Sequence, residues 1–454
     1  MAARAENYSL RIIPAWFPVF LLLAGVAVVL LALSNFNPHL VLHLILFTAG
    51  LAVTYAISPR EDVRTLVSAY VVGYVVRVAA VLLVHHLVSG GLAFYDDWNY
   101  DEQARYLASD WSLSSLAYAA SDLGTAHTGY PILLGSLYGL FGPSLISAKF
   151  LNVFFGALTA PIAYLLGVEI SGERTVGRAV TWLTSLFLYD AMWAGFLMKD
   201  TILLFLFTAT VLFLVRFAKT RQLRMLLVAV GLLLLVQFFR FYSVAVIVLA
   251  ASAGLTLSAS RHRMLSSRTA RMAAGLALAI AAVALWFLLV GYAETIDAVA
   301  MYAKALDQFD ASGYTLLRFA PNLAFLQQLM KAVLVYQLGP YPWVFSGVDF
   351  TGILFYPGMY LIYALLPFFF IGFTKLGRKL DGPRMFVLAA LVLHAAVEVF
   401  MYQSGERQRM MVDVLFVVCA AVGWSGRAGK ARLIVGTYAA LLVFAVFHIS
   451  GRLF

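Results

Sequence analysis

Charged residues are scarce in this chain of 454 residues, because Asp, Glu, Lys and Arg together make up only 12% of it. Soluble proteins average about 25%. Hydrophobic residues reach 63% and the mean hydropathy is +0.90, so a water-soluble globule is excluded. Alternating β-barrel strands are not visible, whereas many apolar runs are long enough to cross roughly 30 Å of hydrocarbon. The sequence predicts an all-α fold, a polytopic helical bundle integral to a membrane.

Cysteine is almost absent, and the single Cys419 lies inside an apolar run. One cysteine excludes an internal disulfide, a zinc cluster and an iron–sulfur site, so a packing role is predicted for it. A secretory signal is not predicted either. The apolar run at 12–34 is too long for the core of a signal peptide and lacks a clear small-x-small cleavage site. It is interpreted as a retained first span.

The apolar runs predict about thirteen spans within a single membrane domain covering 1–454. The net charge of +10 resides in short loops, which fall on one side of the membrane if the N-terminus is cytoplasmic. This pattern sets orientation and predicts no nucleic-acid partner. The runs are 12–34, 39–57, 66–89, 143–168, 179–197, 201–216, 225–239, 243–258, 272–291, 351–374, 385–402, 411–424 and 433–449.

Two long segments remain for the exoplasmic side, 90–142 and 292–350. Neither is rich in Ser and Gly, so ordered interfacial helices are expected in both. The first segment opens with acidic residues interleaved with aromatic ones. Its paired Asp96 and Asp97 have two interpretations. They cap a helix whose first turn favours acids, or they act as carboxylates that accept a proton from an attacking hydroxyl.

The pattern Asp96-Asp97-x-x-Tyr100-x-x-x-Ala104-x-x-Leu107 resembles the acidic signature of GT-C glycosyltransferases, the group with protein O-mannosyltransferases and aminoarabinose transferases. Here the acidic loop follows the third predicted span, whereas in the family it usually follows the first. The resemblance is strongest over roughly 90–260. It extends to further short motifs: Gly129-Tyr130-Pro131, Lys199-Asp200, Phe239-Arg240-Phe241-Tyr242-Ser243 and Gly405-Glu406-Arg407-Gln408-Arg409.

The resemblance implies an inverting transfer of a sugar from a polyprenyl-phosphate donor to a lipid-linked glycan, lipid or protein acceptor. Asp96 would activate the acceptor, with Asp97 as its partner or substitute. Cations at the exoplasmic ends of spans would bind the lipid phosphate, although snorkelling to the interface is an alternative for them. The predicted substrate-binding residues are Lys199, Arg240, Arg407, Arg409, Asp101, Glu102, His127 and Tyr100.

Other polar residues leave alternatives open. Arg77 lies well inside the third span, and Glu398 in another span is a candidate partner that would make it structural. His127 with Asp101 and Glu102 offers oxygen and nitrogen ligands, but no dedicated metal spacing is present, so no metal or other cofactor is predicted.

A bacterial inner membrane is the predicted location, with the active site exoplasmic and membrane lipids as partners. A glycolipid flippase or transporter is the first rival function. It would spread polar residues through the spans, whereas the sequence places its acids and bases mainly at one surface. A cell-envelope glycan polymerase or ligase is the second rival.

Overall fold

The computed structural model describes residues 38–110, 128–261, 353–401 and 408–449. Helices dominate these four ranges and no β-strand occurs within them, which confirms the all-α prediction for this part of the chain. The predicted spans at 12–34 and 272–291 and the segment 292–350 lie outside the described residues. The helices are α1 (Pro38–Ile57), α2 (Val63–Leu87), α3 (Tyr95–Ser109), α4 (Gly129–Phe141), α5 (Leu145–Ser171), α6 (Arg174–Ser185), α7 (Leu188–Trp193), α8 (Asp200–Thr220), α9 (Leu223–Phe239), α10 (Phe241–Arg261), α11 (Tyr356–Arg378), α12 (Gly382–Met401), α13 (Asp413–Ser425) and α14 (Ala431–Ile449).

Five helices of the described ranges, α1, α2, α5, α8 and α11, are long and apolar enough to cross a bilayer. Several shorter apolar helices accompany them, including α4 and α9. Long helices satisfy their backbone polar groups internally, as the hydrocarbon region demands. Their length and composition mark an integral membrane protein.

One predicted span, 179–197, is not a continuous helix. α6 ends at Ser185, α7 covers only Leu188–Trp193, and irregular backbone continues to Lys199 before α8 begins. We call this stretch, 186–199, the broken crossing. Nearly all of its residues are buried inside the bundle. Irregular backbone at membrane depth is tolerated only where protein or water covers it, and here protein covers it.

Polar side chains of neighbouring helices replace the hydrogen bonds that the break removes. The Arg77 guanidinium of α2 donates to the carbonyls of Thr184 and Ser185, each at 3.3 Å, and so caps the C-terminus of α6. The Asn152 amide of α5 donates to the carbonyls of Phe196 at 2.9 Å and Met198 at 3.0 Å. The sequence predicted a single helix because an apolar run does not show where such donors lie.

The described basic loops gather at one end of the bundle, which we call the basic end. Asp62, at the start of α2, accepts a hydrogen bond from Arg178 at 2.6 Å and another from Tyr164 near the end of α5. Glu169 accepts from Arg216 at 3.1 Å and from Lys219 at 2.9 Å at the end of α8. α2 ends and α8 begins at the opposite end, which we call the α3 end.

α11 and α13 approach each other so closely that two glycines are required. A Cβ built on Gly423 would overlap the carbonyl of Phe368, and one on Gly372 would overlap the carbonyl of Cys419. Small residues of this kind allow helix backbones to meet within a membrane. Cys419 itself is fully buried in this contact, which agrees with its predicted packing role.

Replacing Gly423 by alanine will destabilise the protein, because a backbone carbonyl cannot rotate away as a side chain can. Overpacking of this kind costs about 1–3 kcal/mol. The matched control is Gly231→Ala on α9, where nothing lies within 4 Å of an added Cβ. Thermal unfolding followed by size-exclusion chromatography in detergent should show a lower midpoint for Gly423→Ala alone. Equal midpoints for the two variants would contradict the close contact.

Candidate functional site

Asp97 holds the first turn of α3 in place. Its Oδ2 accepts hydrogen bonds from the backbone N–H groups of Ala93 at 3.0 Å and Phe94 at 3.3 Å, and the residue is fully buried. Lys149, near the start of α5, interacts electrostatically with Asp97 and donates to the Gly91 carbonyl. The capping interpretation of the acidic pair therefore applies to Asp97.

Asp96 differs from its neighbour in exposure. It occupies the same first turn of α3, but its side chain is half-buried, so it reaches the surface of the α3 end. An acid here also interacts favourably with the helix dipole. Of the two predicted catalytic carboxylates, Asp96 is the one whose position allows contact with a substrate hydroxyl.

Asp101 joins α3 to α4. Its Oδ1 accepts from the Tyr138 hydroxyl at 2.7 Å and its Oδ2 from Arg105 Nε at 2.8 Å. The hydrogen bond to Asp101 raises the pKa of Arg105. Burial, and to a smaller extent the hydrogen bond to the Asp101 carboxylate, raise the pKa of Tyr138. Both carboxylate oxygens accept hydrogen bonds within the protein, and the predicted role of Asp101 in substrate binding stays a prediction. Glu102, the next residue, is exposed on α3.

Lys199 ends the broken crossing beside aromatic rings. It is buried, and its Nζ lies 5.7 Å from the centroid of the Tyr100 ring of α3. Tyr100 in turn packs edge-on against Tyr130 of α4, with ring centroids 5.1 Å apart. A cation near an aromatic face is stabilised where water is excluded. The structure thus brings together two residues, Tyr100 and Lys199, that are 99 positions apart.

Arg240 occupies the one-residue turn between α9 and α10 and lies in a buried polar cluster. Its NH2 group donates to Asp200 Oδ1 at 2.8 Å, and its guanidinium carbon lies 5.5 Å from the Tyr242 ring centroid. Tyr242 donates to Glu398 Oε1 at 2.8 Å, and His394 Nε2 lies 3.7 Å from the same oxygen. We call these residues, together with Lys199 and Tyr100, the Arg240 cluster.

Arg409 belongs to a different set of contacts. It lies in a short 3-10 turn before α13, where its Nε is 3.4 Å from Asp413 Oδ1. Its guanidinium carbon lies 4.7 Å from the ring centroid of Tyr189, and one nitrogen donates to Met359 Sδ at 3.5 Å. Two further predicted site residues, Arg407 and His127, lie outside the described residues.

Snorkelling does not account for the described cations. Lys199, Arg240 and Arg409 are each only 3% exposed, whereas a snorkelling side chain carries its charged head into water. Burying a charge is costly unless it is paired and hydrogen-bonded, so these three side chains occupy specific electrostatic positions. Their predicted role in binding a lipid phosphate stays a prediction.

Sequence reasoning missed several buried ionisable residues and misassigned one. Glu398 is bonded to Tyr242, so it is not the partner of Arg77, and the carboxylate that acts on Arg77 is Asp190. Asp190 and Asp413 were not predicted as site residues, although each lies within an apolar run. An ionisable residue inside such a run is itself a signal of function.

The described residues contain no group of three or more His, Cys, Asp or Glu that could hold a metal ion. The α3 end carries the half-buried carboxylate of Asp96 and, at the same end of the bundle, the buried cations Lys199 and Arg240 with their aromatic neighbours. Such an arrangement can accept a proton from a hydroxyl and stabilise a phosphate. No protein-family model matches the chain, and no curated protein sequence matches it.

Removing one partner of the buried Arg240–Asp200 pair will destabilise the fold more than removing both. Arg240→Gln leaves the Asp200 carboxylate without the guanidinium that it contacts, and breaking a buried pair costs about 3–5 kcal/mol. Asp200→Asn should be similarly harmful. The double variant Arg240→Gln/Asp200→Asn keeps the shape without either charge, so its thermal midpoint should lie above that of both single variants. Additive losses would show that the two residues act independently.

Proposed function

We propose that the chain is an inverting membrane glycosyltransferase of GT-C type. It transfers a sugar from a polyprenyl-phosphate donor to a glycan, lipid or protein acceptor. The observation that carries this proposal is the arrangement of the α3 end, where accessible Asp96 shares one end of a helical bundle with buried Lys199 and Arg240. The order of these motifs along the chain follows the pattern on which the resemblance rests.

The proposed reaction needs one base and compensation for one developing charge. The acceptor hydroxyl loses its proton to Asp96 as its oxygen forms a bond to the anomeric carbon of the sugar. The bond from that carbon to the phosphate oxygen breaks on the opposite side, which inverts the configuration. The lipid phosphate leaves with an additional negative charge, which Lys199, Arg240 and Arg407 would stabilise.

We place the basic end in the cytoplasm and the α3 end on the exoplasmic face of a bacterial inner membrane. The positive-inside rule supports this orientation, because the described basic loops lie at one end. Successive short loops lie alternately at the two ends of the bundle, which fits a chain of about thirteen spans. In this arrangement Asp96 meets a lipid donor and its acceptor at the outer surface.

A glycolipid transporter is the second candidate, because one observation favours it. The sequence indicated that acids and bases lie mainly at one surface, yet Arg77, Asp190 and Asp413 are buried inside the bundle. Arg77 lies near the middle of the 25-residue α2, next to the broken crossing. Discontinuous helices with buried charges are typical of transporter binding sites. An assay that separates transfer from transport is therefore required.

Purified protein in detergent will release free polyprenyl phosphate together with a glycosylated acceptor when it is given a lipid-phosphate sugar. Detergent removes the two compartments, so transport has no meaning there. Asp96→Asn should lower this turnover by about a hundredfold, the usual scale for loss of a positioned general base. Asp110→Asn, at the other end of α3, is the control and should retain wild-type turnover.

Two outcomes of this assay would change the assignment. Wild-type turnover in Asp96→Asn would remove that residue from catalysis, because asparagine cannot accept the proton. Intact donor after incubation with a panel of lipid-phosphate sugars and acceptors would favour the transporter. Counterflow of the same glycolipid in liposomes would then establish that second function.

Orientation is tested by cysteine labelling in a Cys419→Ala background. Ser109 at the end of α3 and Thr220 at the end of α8 are both exposed and lie at opposite ends of the bundle. A membrane-impermeant thiol reagent added to intact cells should label Ser109→Cys and not Thr220→Cys. Disrupted cells serve as the control, where both should react. The reverse pattern in intact cells would place the α3 end in the cytoplasm and exclude an exoplasmic donor site.

A further inference from the structure

Six exposed cations gather where α11, α13 and α14 meet at the basic end. Three lie at the end of α11 or directly after it, and three lie in the loop between α13 and α14 or in the first turn of α14. Near the start of α12, Arg384 donates to the carbonyl of Ile170 near the end of α5 at 3.4 Å, which places this region at the basic end. We call the six residues the basic patch: Lys375, Arg378, Lys379, Arg427, Lys430 and Arg432.

Side-chain contacts join the two halves of the basic patch. Lys375 Nζ of α11 donates to Ser425 Oγ at the end of α13 at 3.3 Å. The Arg427 guanidinium donates to the Trp424 carbonyl at 2.7 Å, and its central carbon lies 4.2 Å from the Trp424 ring centroid. Trp424 packs edge-on against Phe368 of α11, with ring centroids 4.7 Å apart. Cations of α11 and of the α13–α14 loop therefore share one surface.

The described residues supply no acid to this patch. The one acid within 375–384 and 424–432 is Asp381, which pairs with Arg384 at 3.3 Å, and no carboxylate of the described ranges contacts any of the six cations. The positive-inside rule counts Lys and Arg whether or not acids pair with them, so orientation does not require unpaired cations. Four cations elsewhere at the basic end are paired: Arg174 with Glu61, Arg178 with Asp62, and Arg216 and Lys219 with Glu169.

The surroundings of the basic patch suit a lipid better than a small soluble anion. Trp424 is 50% exposed, and Trp side chains are favoured at the depth of lipid headgroups. Exposed apolar side chains lie within five positions of the patch along the helices, with Phe370 on α11 and Leu433 and Val435 on α14. Cations beside a membrane attract anionic headgroups, and the apolar side chains can contact acyl chains. A ligand with a negative head and apolar tails matches both parts of this surface.

α14 is the helix that such a ligand would hold in place. Most of its described side chains are exposed. Its Tyr438 hydroxyl donates to the Ala364 carbonyl of α11 at 2.8 Å, and Ile434 packs against the cluster that contains Phe368. A headgroup that bridged the end of α11 and the start of α14 would add a third contact between these helices.

We propose that the basic patch binds the anionic headgroup of a membrane phospholipid, whose acyl chains lie along Phe370, Leu433 and Val435. The ammonium and guanidinium groups donate hydrogen bonds to the phosphate. The bound lipid bridges α11 and α14 and so stabilises the folded protein. The site lies at the opposite end of the bundle from Asp96. It does not rest on the proposed function, because neither the transferase nor the transporter assigns a role to these six residues.

Binding is measured with the purified full-length protein in detergent. Dioleoyl phosphatidylglycerol is the anionic probe and dioleoyl phosphatidylcholine, which has no net charge, is the comparison. Native mass spectrometry counts the bound lipids, and thermal unfolding reports their effect on stability. Phosphatidylglycerol should bind with higher affinity than phosphatidylcholine and should raise the thermal midpoint, because a ligand that binds only the folded state stabilises it.

Variants of the basic patch should lose this binding. Arg427→Gln/Lys430→Gln/Arg432→Gln should weaken phosphatidylglycerol binding by about tenfold or more, since each Lys or Arg near an anionic headgroup contributes about fivefold. Lys375→Gln/Arg378→Gln/Lys379→Gln removes the other half of the patch and should have a similar effect. The second variant keeps the test valid if the first fails to fold, as judged by size-exclusion chromatography.

The matched control removes the same charge from the same end of the bundle. Arg60, Arg64 and Arg224 are exposed at the basic end but lie outside the patch. Arg60→Gln/Arg64→Gln/Arg224→Gln should keep its affinity within about twofold, because salt screens charges distant from the headgroup. Unchanged affinity in the patch variants, or equal losses in patch and control variants, would overturn the proposal. Displacement of the lipid by inorganic phosphate at the same concentration would also overturn it, since that result indicates a site for a soluble anion.

Discussion

The requirement that every backbone polar group in a membrane be bonded inside the protein governs this structure. The broken crossing exists because Arg77 caps the end of α6 and Asn152 binds the carbonyls that precede α8. These donors come from α2 and α5, two of the longest helices. The break in turn determines where Asp190 and Lys199 lie. Both sets of buried charges therefore depend on hydrogen bonds made by Arg77 and Asn152.

Charge is distributed between two clusters that contact different parts of the chain. The Arg240 cluster joins the ends of α8, α9, α10 and α12, and Lys199 connects it to Tyr100 of α3. A second group of buried charged residues, Arg77, Asp190, Arg409 and Asp413, lies on α2, α7, the 3-10 turn and α13. Ser243 of α10 donates to Met411 Sδ at 3.2 Å, so the 3-10 turn that bears Arg409 adjoins the first cluster.

The sequence predicted the helical class and the clustering of basic loops, because hydrophobicity and charge bias are properties of single segments. It also located Asp96, Lys199 and Arg240 at helix ends that the structure places at one end of the bundle. It did not predict which side chains contact each other in the Arg240 cluster. Tyr242 lies 42 positions after Asp200 and 156 positions before Glu398, and no local pattern encodes contacts over such separations. The break at 186–199 was missed for the same reason, since its stabilising donors lie on other helices. Asp190 and Asp413 could have been found by treating every ionisable residue within an apolar run alike.

The glycine contact between α11 and α13 has a consequence for how the protein is made. The two helices are separated in sequence by α12, which packs instead against α10, so neighbours in the chain are not the nearest neighbours in the bundle. When α11 leaves the ribosome, the helix that covers Gly372 has not yet been synthesised. α11 and α12 must therefore reside in the membrane with incomplete packing until α13 inserts. Assembly of this half of the bundle is thus ordered by synthesis, and the backbone contact at Gly423 forms only after α13 has inserted.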